Sequence, residues 1–145
     1  MGVAREILLV DDNPADLSLA QEALARCLRH NIINSVCDGE QAISFLFRRG
    51  TYANQMRPSL VILDLNLPKK DGRAVLEEVK SDPDLRQIPV VIFSTSQAST
   101  DIIRSYQLGA NCYVSKPVDL KAYFAALQLI EEFWFGLARL PQEGE

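Results

Sequence analysis

The run Leu60-Val61-Ile62-Leu63 ends directly on Asp64, and Pro68 and Gly72 follow at once. A continuous aliphatic run bounded by turn residues is the pattern of a strand buried on both faces, as in a parallel sheet. Such a strand commits the chain to helices above and below it. An acid at its carboxyl end stands where open α/β sheets place their ligands. Asp also caps turns after strands, and this stretch by itself leaves both readings open.

The flanking sequence repeats the same unit. Ile7-Leu8-Leu9-Val10 stops at Asp11-Asp12-Asn13-Pro14, and a helix is expected to open near Pro14, where proline is tolerated. Leu17, Ala20, Leu24 and Leu28 recur at helical spacing, which predicts an apolar stripe running to about Arg29. Ile32 to Cys37 reads as a second strand. Asp38-Gly39-Glu40 leads into a second helix with Ala42, Ile43, Leu46 and Phe47 inward, and Gly50 to Pro58 is a polar connection. Asp71-Gly72 opens a third helix with Ala74, Val75, Leu76 and Val79 as its stripe, ended by Ser81-Asp82-Pro83. Pro89 to Phe93 is a fourth strand, followed by Ser94-Thr95-Ser96. A short helix is expected over Ser99 to Leu108, with Gly109 as its C-cap. Cys112-Tyr113-Val114 is a fifth strand ending at Ser115-Lys116-Pro117, and a last helix starts near Val118-Asp119 and reaches Phe135 or Leu137.

Strands alternating with helices predict an α/β fold, a doubly wound parallel sheet with right-handed crossovers. Five strands fit the flavodoxin-like (βα)5 order 2-1-3-4-5. The chain of 145 residues is expected to be one domain over 1–145, with an extended C-terminal helix and tail from about 119.

Composition narrows the function. A formal net charge of −4 argues against a broad grip on nucleic acid. No apolar run approaches the roughly 20 residues needed to span a bilayer, and Met1 to Glu6 show no signal-peptide core, so no membrane role is expected. Cys27, Cys37 and Cys112 are widely separated and read as small, reduced core residues of a cytoplasmic protein. His30 reads as a surface or helix-end residue with no metal partner.

In the 2-1-3-4-5 order, four strand ends gather side by side at the switch point. They carry Asp11 and Asp12, Asp64, Ser94 and Thr95, and Lys116. Converging carboxylates repel unless something neutralises them, and the natural neutraliser is a hard divalent cation. Magnesium suits a few carboxylates plus waters and a phosphate oxygen, whereas zinc would call for His or Cys. A cation, a lysine and a hydroxyl are what the oxygens of a phosphoryl group require. Asp64, on the central strand, is then the carboxylate placed to attack phosphorus. Each of these residues by itself has an ordinary structural reading, and it is their convergence that points to chemistry.

These residues carry a family likeness. The acidic pair Asp11-Asp12, the segment Asp64-Leu65-Asn66-Leu67-Pro68 with Asp71-Gly72, the strand ending at Ser94-Thr95, and Tyr113-Val114-Ser115-Lys116-Pro117 occur in order. Over nearly its whole length the chain resembles the receiver domains of two-component response regulators. The resemblance implies that Asp64 accepts a phosphoryl group from a sensor histidine kinase. It implies that Asp12 and Asp64 ligate Mg2+ by side chain, Asn66 by its backbone carbonyl and Asp11 through water. Lys116 would pair with phosphoryl oxygens, with Ser94 as switch hydroxyl and Tyr113 as switch aromatic, drawn inward after phosphorylation. The family more often has Thr and then Ala where this chain has Ser94 and Thr95. The segment Leu65 to Arg73, Asn111-Cys112-Tyr113 and Glu132-Phe133-Trp134 resemble, more narrowly, response regulators paired with cyanobacterial phytochrome kinases.

No DNA-binding or enzymatic module is expected after the last helix, so output is expected to run through protein contacts. That helix is unusually apolar. Successive residues point ~100° apart, so Phe133, Trp134 and Phe135 cannot all face one core. A homodimer through the last helix and aromatic tail is expected. Competing readings are a phosphorylation-independent receiver-like interaction module, a flavodoxin-type binding module and an aspartate-based phosphohydrolase. The last would place a second acid two residues after the nucleophile, where this chain has Asn66. A signalling switch, not an enzyme, is the expectation.

Overall fold

Five parallel strands, β1 (Arg5–Val10), β2 (Asn31–Val36), β3 (Leu60–Leu63), β4 (Val90–Ser94) and β5 (Cys112–Ser115), form one sheet in the order β2-β1-β3-β4-β5. The computed structural model describes residues 5–141. Expectations that rest on residues 1–4 and 142–145, including the outer limits of the 1–145 domain, lie outside the described residues. The helices are α1 (Pro14–Ala25), α2 (Gly39–Leu46), α3 (Gly72–Ser81), α4 (Ser99–Gln107) and α5 (Leu120–Glu131).

The unbroken apolar runs are explained by two cores. Leu60 and Ile62 of β3 join Ile7 and Leu9 on one face, against Ala23 and Leu24 of α1 and Leu127 and Ile130 of α5. Val61 and Leu63 join Leu8 and Val10 on the other, against Ile43 and Leu46 of α2 and Val75, Leu76 and Val79 of α3. All four β3 residues are buried. Each such side chain contributes about 1.5–3 kcal/mol by leaving water.

Local chemistry starts the helices. Asn13 Oδ1 accepts from the backbone N–H groups of Ala15 and Asp16, with Pro14 as the first helical residue of α1. Asp38, Asp71 and Asp119 cap α2, α3 and α5 in the same way. Gly109 takes φ 106° after α4, the left-handed turn that glycine enters without strain.

Several expectations need correction. Helix α1 ends at Ala25, not near Arg29, and Leu28 is fully exposed instead of completing the stripe. A turn closed by Cys27 N–H on the Leu24 carbonyl swings the chain off the helix axis before Leu28. The second strand starts and ends one residue earlier than expected. Cys37 is exposed at the end of that edge strand and is not a core residue, while Cys27 and Cys112 are half-buried. Cys37 lies just past Val36, the last residue of edge strand β2, which has only one neighbouring strand.

The last helix continues as a π-helix over Glu132–Leu137. Phe135 is buried, Trp134 half-buried and Phe133 exposed, as the spacing requires. The tail is bolted down by Glu131, which is buried. Its carboxylate accepts from Arg29 Nη1 at 3.2 Å and Asn31 Nδ2 at 2.9 Å, and Arg29 also reaches Glu132 Oε2 at 2.7 Å. Among the described residues no helix is long and apolar enough to cross a membrane.

Candidate functional site

The carboxyl edge of the sheet is assembled by backbone bonds that continue the ladder past the strands. Asp11 N–H donates to the Val36 carbonyl at 3.2 Å and Asp64 N–H to the Val10 carbonyl at 2.9 Å. Lys116 N–H donates to the Ser94 carbonyl at 2.7 Å. Each functional side chain therefore leaves from a backbone position fixed by its neighbour strand. Behind Asp64 the loop doubles back, with Gly72 N–H on the Leu65 carbonyl at 2.8 Å. A Cβ on Gly72 would lie 2.3 Å from the Asp64 carbonyl oxygen, so only glycine allows this approach.

Carboxylate oxygens of Asp11, Asp12 and Asp64 come within 4.8 Å of one another. Asp11 is buried, Asp12 exposed and Asp64 half-buried, so the group opens to solvent on the Asp12 side. Lys116 is buried, and its ammonium donates to Asp11 Oδ2 at 2.6 Å, Asp16 Oδ2 at 3.0 Å and Asp64 Oδ2 at 3.1 Å. Burial pulls the Lys116 ammonium down, but the Asp11 hydrogen bond, the charge of Asp64 and the Asp16 hydrogen bond outweigh it and hold it above the usual lysine range. Burial pushes the Asp11 carboxyl up, against the opposing Lys116 bond. One ammonium thus leaves the acids under-neutralised. Hard oxygen donors this close fit a divalent cation of the magnesium or manganese type. Beside them a cleft of about 200 Å3, bounded by Asp16, Thr95, Lys116 and Tyr123, gives access to the lysine.

The remaining predicted residues lie around this centre. Asn66 is exposed, and its N–H leans toward Asp64 Oδ1 at 3.4 Å, so the loop curls over the acid. Ser94 is fully buried at the end of β4, its Oγ accepting from Ser96 N–H at 3.3 Å. Tyr113 is not in the acidic cleft. Its ring is already turned in against the core, and its hydroxyl donates to the Ser96 carbonyl at 2.9 Å. The expected inward movement thus finds the inward position occupied, because Ser96 satisfies the hydroxyl there.

Sequence reasoning missed two groups. Asp16 supplies a carboxylate to Lys116, although its place in the first turn of α1 reads only as a helix-dipole acid. Arg73 Nη2 binds Asp101 Oδ1 at 2.5 Å and Nη1 binds Asp71, while Ser96 Oγ donates to Asp101 Oδ2 at 2.6 Å. That network joins the loop behind Asp64 to the carbonyl held by Tyr113.

Acids facing a lysine at the switch point of a 2-1-3-4-5 parallel sheet define the receiver class of α/β domains. The chain belongs to the response regulator receiver domain family, whose model matches residues 7–128. It is 48% identical over 135 residues to the response regulator Rcp1 of Synechocystis, covering 93% of this chain and 92% of that protein. The crystal structure of the phosphorylated cyanobacterial phytochrome response regulator RcpA superposes with a TM-score of 0.94 at 50% identity, covering 97% of this chain and all of that one. The Mn2+-bound form of Rcp1 gives a TM-score of 0.91 at 47% identity, covering 95% and 99% of the two chains.

Proposed function

We propose that this chain is a phosphoacceptor switch in a two-component phosphorelay, served by a sensor histidine kinase of the bacterial phytochrome type. The observation that carries the reading is Lys116 bonded to Asp64 beside an acidic trio at the sheet's carboxyl edge. Asp11, Asp12 and Asp64, with the Asn66 carbonyl, would hold a divalent cation, which supplies positive charge to the phosphoryl oxygens. Asp64 attacks phosphorus in line, forming the new O–P bond as the P–N bond to the kinase histidine breaks, and the imidazole leaves with the electron pair. Lys116 directs one ammonium hydrogen to the transferring group.

Ser94 then turns its hydroxyl to a phosphoryl oxygen. Because Tyr113 is already bonded to the Ser96 carbonyl, phosphorylation acts by favouring this inward arrangement over others, a population shift. The likeness to Rcp1 and to RcpA, a phytochrome response regulator, supports the choice of kinase. Exposed Leu129, Phe133 and Leu137, at four-residue spacing on the last helix and tail, support a homodimer through that surface. Asn66, standing where a hydrolase would carry a second acid, supports a switch that is not a conventional enzyme. Three free cysteines suit a cytoplasmic setting. Transfer of labelled phosphate from an autophosphorylated bacterial phytochrome kinase tests the reading. Label should appear on the wild type and be lost in Asp64→Asn.

A further inference from the structure

Lys116 is held by one carboxylate more than the acidic trio supplies. Asp11 and Asp64 belong to that trio and Asp16 does not. Asp16 is nonetheless well fixed. Its N–H is capped by Asn13 Oδ1 at 3.2 Å, and its carbonyl oxygen accepts from the Tyr123 hydroxyl at 3.2 Å. Tyr123 is itself buried, its ring 5.2 Å from that of Phe93. Helices α1 and α5 together aim the Asp16 carboxylate at the lysine. A first-turn acid serving only the helix dipole would need no such aim.

We propose that Asp16 is a brake on the phosphorylated state: it shares the charge of Lys116, so that the lysine holds a phosphoryl group on Asp64 less tightly. This rests on the phosphoacceptor reading above. An ammonium has three hydrogens, and here they go to Asp11, Asp16 and Asp64. Phosphorylation removes the charge of the Asp64 carboxylate itself and places a dianion on the phosphoryl oxygens. Asp11 would also serve the divalent cation. Asp16 keeps its hold on Lys116 throughout, so the ammonium has less of its charge to give to the dianion. Asparagine at this position preserves shape and an acceptor oxygen while removing the charge, so charge and geometry can be separated.

The test is equilibrium binding of beryllofluoride, a phosphoryl mimic, in magnesium, followed by fluorine NMR on the full chain. Asp16→Asn and Asp16→Ala should each bind it about three- to tenfold more tightly than wild type. The gain should vanish when either change is combined with Lys116→Ala, because the effect acts through the lysine. Unchanged or weaker binding in Asp16→Asn, or a gain that survives without Lys116, would overturn the proposal. Failure of the phosphoacceptor reading looks different: wild type itself would then show no binding that depends on Asp64, and the brake would fall with it.

Discussion

Lys116 Nζ stands 2.6 Å from Asp11 Oδ2 and 3.1 Å from Asp64 Oδ2, so the ammonium leans toward the buried acid and away from the acceptor. Asp11 is thus the more closely paired of the two acids. A divalent cation completes the neutralisation that one lysine leaves unfinished.

Magnesium should therefore stabilise the fold. At a concentration near 100 times its Kd it adds about 2.7 kcal/mol, or roughly 5–10 °C in Tm for a domain of this size. Differential scanning calorimetry with magnesium and with chelator checks this. The increment should largely disappear in Asp12→Asn, which removes an exposed ligand without disturbing the core.

Gly72→Ala should cost about 3 kcal/mol and slow phosphorylation, since the new methyl would press on the Asp64 carbonyl oxygen and on Leu65 Cα at 2.7 Å. Both contacts are backbone and cannot rotate away. Urea denaturation gives the stability change. An alanine variant as stable and as readily phosphorylated as wild type would show that the loop has room to spare.

The link between α3 and α4 should be acid-sensitive. The Ser96 hydroxyl and Arg73 hold the Asp101 carboxyl below its ordinary 3.8. A depressed carboxylate contributes stability above its unfolded value, and that contribution is lost as pH falls through the lower folded value. Asp101→Asn should thus melt below wild type at neutral pH, and the gap should close below about pH 3.8. A gap independent of pH would mean that packing, not charge, holds α4.

The central strands were legible because each is buried on both faces, which leaves an unbroken aliphatic run such as Leu60 to Leu63. Acids at the ends of those runs were legible for the same reason, since the sheet order alone brings them together. Edge strand β2 (Asn31–Val36) carries a weaker pattern, with Asn31, Asn34 and Ser35 interleaved, and its bounds slipped by a residue. Leu28 misled because the periodicity of α1 runs on past the turn at Cys27 and no glycine marks the stop. Asp16 and Glu131 were illegible as functional or anchoring groups. Their partners lie about 100 residues away, Lys116 for one and Arg29 and Asn31 for the other. In Glu131 a signal was present, an acidic pair set between Ile130 and Phe133, but nothing local names what would pair with it.

The tail should mediate self-association. Replacing Leu129 and Phe133 with Gln removes exposed apolar surface without touching buried Phe135, so the fold should persist while a dimer dissociates. Sedimentation velocity of both proteins at matched concentration checks this. Wild type sedimenting as a monomer throughout would contradict the proposed interface.

Intact mass after incubation with a small-molecule phosphodonor tests the phosphoacceptor role most directly. Wild type in magnesium should gain a single phosphoryl group, and the adduct should be absent in chelator and in Asp64→Asn. An adduct that persists in Asp64→Asn, or none at all under conditions that label another receiver, would contradict the assignment of Asp64 as the acceptor.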